Sequence, residues 1–213
     1  PVYGTSDYRQ PAIEICQTNG SKISDFHYQS HSISKGKPKL ENLHATYTEN
    51  DDEALTLTIH LQDPVTLVEI DLLYTIFAQN GIISRSAKIY NQGKDDVHLT
   101  TAMSLCLDLP DCDYEWLQFS GTWSRERHLK VRKLEQGITA INSTRGHSSH
   151  EHNPFIILKR PTTDENKGEA IGFSLIYSGN FLAQAEVDTH DVTRVLMGIN
   201  PTTFDWKLEP NTS

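Results

Sequence analysis

The sequence predicts an all-β fold, a large antiparallel β-sandwich. Three observations carry that prediction. Apolar residues recur at a period of two in about ten short segments. Turn residues separate those segments. No stretch sustains an apolar stripe at i, i+3, i+4 and i+7 over three turns, so no crossover helices join the strands. Strands in that number curl into two packed sheets more readily than they stay open.

Taken in order, LTLTIHL (55–61) alternates Leu55, Leu57, Ile59 and Leu61 with polar residues, and VEIDLLYTI (68–76) repeats the pattern with Val68, Ile70, Leu72, Tyr74 and Ile76. IISRSAKIY (82–90) follows, then VHLTTAMSLCL (97–107), read as one strand through Val97, Leu99, Met103, Leu105 and Leu107. HLKVRKL (128–134), ITAINS (138–143), PFIILKR (154–160) and AIGFSLIYS (170–178) continue the series. FLAQAEVD (181–188), TRVLMGI (193–199) and FDWKLE (204–209) complete it. The links NQGKDD, EQG, DENKG, SGN and NPTT carry turn chemistry. The stretch 34–47 is the longest irregular segment expected, cationic at its start and suited to the surface.

A chain of 213 residues is long enough to bury a core without disulfides, and residues 1–213 are expected to form a single β-sandwich domain. Hydrophobic residues make up 37% and charged residues 22%, which argues against disorder. The formal charge of −9 and the lack of a Lys/Arg-rich run argue against nucleic acid as a partner. No apolar run approaches the ~18 residues needed to span a bilayer, so no membrane partner is expected. Cys16, Cys106 and Cys112 form no CxxC pair, and a reducing, cytoplasmic setting is the natural expectation. The chain begins Pro1-Val2-Tyr3 and stops at Asn211-Thr212-Ser213, and both ends read as cuts in something longer.

Three constellations could carry chemistry. GHSSHEHNPF (146–155) places His147, His150 and His152 within six positions, enough imidazoles for a zinc site with an open position. It lacks HExxH or paired cysteines, and reads better as a hydrogen-bonded loop or a loop that meets another domain. DLPDCDYEW (108–116) gathers Asp108, Asp111, Asp113 and Glu115, and glycoside hydrolysis needs two facing carboxylates. Asp and Pro also concentrate in turns, and that reading is preferred. WLQFSGTWSRERH (116–128) combines Trp116, Trp123, Arg125 and Arg127. These residues suit a carbohydrate contact, a subunit interface, or arginines paired to the acidic loop before them. There is no GxSxG, P-loop or GxGxxG motif.

Six blocks carry a resemblance: VYGTSDYRQPA (2–12), ISDFHYQSHSISKGKPKLENLHATY (23–47), SLCLDLPDCDYEWLQFSGTWSRERH (104–128), SSHEHNPF (148–155), GFSLIYSGNFLAQAEVD (172–188) and INPTTFDWKLEP (199–210). Together, and in this order over essentially the whole chain, they resemble the N-terminal domain of bacterial α-galactosidases of glycoside hydrolase family 36. The resemblance implies a galactose mutarotase-like supersandwich whose first strands precede Pro1, followed by a catalytic (β/α)8 barrel and a small β domain. It implies hydrolysis of terminal α-linked galactose with retention, by two barrel aspartates that lie beyond Ser213. No catalytic residue is therefore expected here, the chain alone is expected to be inactive, and no metal or cofactor is implied.

The implied partners are the barrel of the same polypeptide, further copies in a homotetramer, and an α-galactoside substrate through the parent enzyme. Trp123, Arg125, Arg127 and His150 are the candidates for the rim of the sugar site or for an interface. Glu151 stands where many relatives carry Gln, and Thr202-Thr203 replace a more apolar pair, which bears only on local contacts. Two alternatives are a free-standing carbohydrate-binding module and a metal-dependent enzyme built on His147, His150 and His152.

Overall fold

A computed structural model describes residues 6–213. Residues 1–5, and with them the start of the 2–12 block, lie outside the described residues. The chain divides into two compact units, Leu105–Phe204 on the one hand and Pro1–Ser104 with Asp205–Ser213 on the other. Both are built from antiparallel sheets, and the described residues hold one short helical turn, a 3₁₀ turn at Asp51–Glu53.

The first unit contains β1 (Ile13–Cys16), β2 (His27–Lys35), β3 (Leu55–Gln62), β4 (Val68–Phe77), β5 (Ile82–Asn91), β6 (Val97–Ala102) and β15 (Trp206–Leu208). They form a four-stranded sheet in the order β2-β3-β4-β5 and a three-stranded one in the order β1-β6-β15. Ile15, Val97, Leu99 and Leu208 are buried on the smaller sheet. The β3–β4 hairpin is pinned by Asp63, which is 2% exposed. Its carboxylate accepts the N–H groups of Val65 (2.8 Å), Thr66 (3.0 Å) and Asp25 (2.9 Å). The last of these also fixes the chain just before β2.

The second unit contains β7 (Leu105–Leu109), β8 (Glu115–Thr122), β9 (Arg125–Lys133), β10 (Gly137–Asn142), β11 (His152–Lys159), β12 (Ala170–Ser174), β13 (Phe181–Val187) and β14 (Thr193–Ile199). Its sheets have the orders β10-β13-β14-β7 and β12-β11-β8-β9. One core joins them. Trp116, Ile156, Leu158 and Phe173 come from one sheet, and Ile141, Phe181, Ala183, Val195 and Met197 from the other. Period-two alternation explains the selection, since Ile156 and Leu158 are fully buried while Phe155, Ile157 and Lys159 between and beside them are not. This unit is a sandwich in its own right.

The all-β antiparallel expectation is met, with local corrections. The segment 97–107 is not one strand. Its alternation slips between Leu99 and Met103, and the chain leaves β6 there to enter a different sheet as β7. Three strands went unread: β1 is only four residues long, β2 is exposed along its whole length, and β8 lies inside a segment read for its chemistry. The three cysteines are free.

Candidate functional site

Strands β8 and β9 join through Trp123 and Ser124, with Thr122 opposite Arg125. Ser124 takes the left-handed conformation (φ 63°), and its N–H donates to Glu126 Oε1 at 2.8 Å. The register slips between Ser120 and Thr122, which leaves one extra residue on β9. Arg127, in that stretch, also has positive φ (61°). Gly121 is required by close approach: a Cβ there would lie 2.3 Å from Arg125 O and 2.6 Å from Glu126 Cα. The outcome is a tight, bulged hairpin that holds Trp123 80% exposed at its tip.

The histidine loop runs beside this hairpin. Gly121 N–H donates to Glu151 O at 2.9 Å, and His152 lies opposite Ser120. On the inner face of β8, alternate residues build a polar chain. Trp116 Nε1–H donates to Gln118 Oε1 (2.8 Å), Gln118 Nε2–H donates to Ser120 Oγ (2.6 Å), and Ser120 Oγ lies 3.0 Å from His152 Nδ1. Arg132 of β9 donates to the same Gln118 oxygen at 2.7 Å. Burial pushes His152 below the usual imidazole range; the nearby Glu151 carboxylate opposes this and Arg132 adds to it. Glu151 is itself paired with Arg145.

The three histidines do not converge. His147 Nδ1 turns to Ser148 O (2.9 Å), His152 turns inward to Ser120, and His150 is exposed. Among the described residues no group of three His, Cys, Asp or Glu side chains is placed to share a metal ion. The metal-site alternative is corrected accordingly: one of its three ligands is committed to the polar chain that supports the hairpin.

The acidic loop is also committed. Asp108 makes a two-point pair with the 2%-exposed Arg194 (2.8 and 2.9 Å). Asp111 does the same with Arg160 (2.6 and 3.1 Å), and that guanidinium lies 4.0 Å from the Tyr114 ring centroid. The Arg160 hydrogen bond holds the Asp111 carboxyl below the usual carboxylate range. Glu115 pairs with Lys159 at 2.6 Å. These ion pairs use Arg160, Arg194 and Lys159, not the arginines of the hairpin. Among the described residues Arg125 and Arg127 have no carboxylate within salt-bridge distance, and both are exposed.

Trp123, Arg125 and Arg127 thus sit on one hairpin, next to the loop that carries His150. The sequence named these four but missed their supports, Gln118, Ser120, Glu151 and Arg132. The spacing of Trp116, Gln118 and Ser120 at every second position is the signal that could have found them.

Comparison with known proteins completes the picture. Residues 1–209 match the family described as the glycosyl hydrolase family 36 N-terminal domain. The chain is 46% identical to the α-galactosidase AgaA of Geobacillus stearothermophilus, over 100% of its own length and 29% of that protein. It is 41% identical to α-galactosidase 2 of Hypocrea jecorina, over 99% of its length and 28% of that protein. The crystal structure of AgaA superimposes with a TM-score of 0.98 over 99% of this chain and 29% of that one. That of the α-galactosidase from Lactobacillus brevis does so with a TM-score of 0.97 at 44% identity. The chain spans less than a third of the length of these relatives. It belongs to the glycosyl hydrolase family 36 N-terminal domain family.

Proposed function

We propose that this chain is the non-catalytic N-terminal domain of an α-galactosidase, one that removes terminal α-linked galactose from oligosaccharides with retention. The observation that carries the reading is the match to relatives named α-galactosidases over the whole of this chain and less than a third of theirs. A retaining glycosidase needs two carboxyl groups ~5 Å apart across the scissile bond. Three of the four carboxylates of the acidic loop are bound to Arg194, Arg160 and Lys159, an arrangement that serves folding. The catalytic pair then belongs to the barrel of the parent protein.

In this reading the domain supports the barrel and the assembly of subunits. Trp123, Arg125, Arg127 and His150 form its contact surface, either at the rim of a sugar site or against a neighbour. What supports this is their exposure on a hairpin that the Gln118–Ser120–His152 chain and Gly121 hold rigid. A wide aromatic face beside free guanidinium groups suits both a pyranose ring and a protein partner.

The experiment is hydrolysis of a chromogenic α-galactoside by the purified chain and by the full-length parent. The expected result is an inactive chain and an active parent. In the parent, Trp123→Ala is expected to raise KM or to weaken assembly while the chain stays folded. Hydrolysis by the chain alone, abolished by Asp111→Asn or His150→Ala, would overturn the proposal.

A further inference from the structure

The β2–β5 sheet has two unlike faces. Strand register places Ile33, Leu57, Tyr74 and Arg85 in one row and His31, Ile59, Leu72 and Ala87 in another on the same face. The opposite face carries Thr58, His60, Asp71 and Lys88. In most half-covered sheets the apolar face is the buried one. Here much of it is open: Ile33 is 68% exposed, Ile83 66%, Tyr28 60% and Ile76 47%. Tyr28, His31, Ile33, Leu57 and Ile59 line a shallow groove of about 430 Å³.

We propose that this face docks a second copy of the same chain, sheet against sheet. Three arguments select that occupant. The first is area. The open apolar surface is on the order of 600 Å², at the limit of what monomers expose and approaching what one partner of a stable complex contributes. The second is charge. The chain carries a formal −9, yet the rows of this face hold no Asp or Glu and only Lys35, His31 and Arg85 as basic groups. Two acidic molecules therefore meet here at lower electrostatic cost than across a carboxylate-bearing surface. The third is the contrast with β9. That edge strand is also exposed but carries five Lys or Arg residues, the usual guard against association. Strand β2, exposed over all nine residues, carries no Lys, Arg, Asp or Glu before Lys35. A sugar is a poor occupant, because the groove offers no carboxylate or amide to reach its hydroxyls.

Packed face to face, two such sheets stand ~10 Å apart with their side chains interleaved, as within a sandwich. The proposal deepens the assembly part of the proposed role. Its test reads association without any activity, so its failure leaves the galactosidase reading untouched. Sedimentation velocity on the purified chain is expected to show a monomer–dimer equilibrium between ~1 and ~100 µM. Ile33→Lys with Ile83→Lys is expected to raise the dissociation constant at least about tenfold by burying two charges, and Val131→Lys on β9 to leave it unchanged. Hydrogen exchange supplies a check without variants: amides of β2 and β3 are expected to exchange more slowly at high protein concentration. A chain that stays monomeric at ~100 µM would overturn the proposal and assign this face to polypeptide outside residues 1–213. A dimer that responds to Val131→Lys and not to the double variant would overturn it as well.

Discussion

Asp63 offers the sharpest test of how the first unit is held. Its side chain is almost fully buried and accepts three backbone N–H groups, from Val65 and Thr66 through Oδ1 and from Asp25 through Oδ2. Asp63→Ala leaves three donors without that acceptor. At ~1–1.5 kcal/mol for each orphaned donor, the loss is about 3–4 kcal/mol. Asp63→Asn keeps one oxygen for Val65 and Thr66 but turns an N–H2 group toward the Asp25 N–H, so its cost is about half as large. Urea unfolding followed by far-UV circular dichroism measures both.

The same residue sets a pH dependence. Burial alone would raise its carboxyl, but the donors Thr66, Asp25 and Val65 outweigh burial and hold it below the usual carboxylate range. A group with a depressed native pKa gives stability that is present above its unfolded value, ~3.9, and is lost as pH falls through the native one. The gap between wild type and Asp63→Asn is therefore constant from pH 7 to about 4 and closes below that. Equal losses in the Ala and Asn variants, or a gap that ignores acid, would refute the assignment of these three hydrogen bonds as the source of stability.

Three further outcomes are expected. Ile156→Ala, at a fully buried position in the sandwich core, should cost ~2–5 kcal/mol in urea unfolding, and Ile157→Ala on the other face of the same strand much less. Gly121→Ala should destabilise by about 1–3 kcal/mol and change Trp123 fluorescence, because the added methyl meets backbone of Arg125 and Glu126, not a movable side chain. His152 resists protonation in the folded state, so its contribution is present above the unfolded imidazole value of ~6.5 and falls as pH drops from there toward the lower native one. Thermal midpoints measured between pH 8 and 5 should fall less steeply in His152→Gln.

Most of the fold is legible in the alternation of residues such as Leu55, Leu57, Ile59 and Leu61, because a strand with one covered face must show it. Strand β2 shows it weakly, since HYQSHSISK is covered on neither face and has little to sort. The break at Met103 was hidden because residues on both sides of it are apolar, and periodicity does not say which sheet a strand joins. At the candidate site, Trp123 and the two arginines stand out by type. Their supports do not. Gln118 and Ser120 matter through partners distant in sequence, His152 being 32 residues beyond Ser120. The tempting histidine cluster misled for the opposite reason: closeness in sequence put three imidazoles side by side, and the strand that begins at His152 sent one of them inward.

The departure of the chain from the first unit at Ser104 and its return at Asp205 has a consequence for how the protein is made. Strand β15 pairs with β6 across the entire intervening unit, Trp206 lying opposite Leu99. On a ribosome, everything needed for the second unit emerges before β15 does. The sandwich of Leu105–Phe204 can thus close while the sheet synthesised first still waits for its last strand. Its closure then draws the two ends of the insertion together and shortens the effective loop that β15 must close, which lowers the entropic cost of that late pairing. The later-made unit is the template, and the earlier-made one is finished on it.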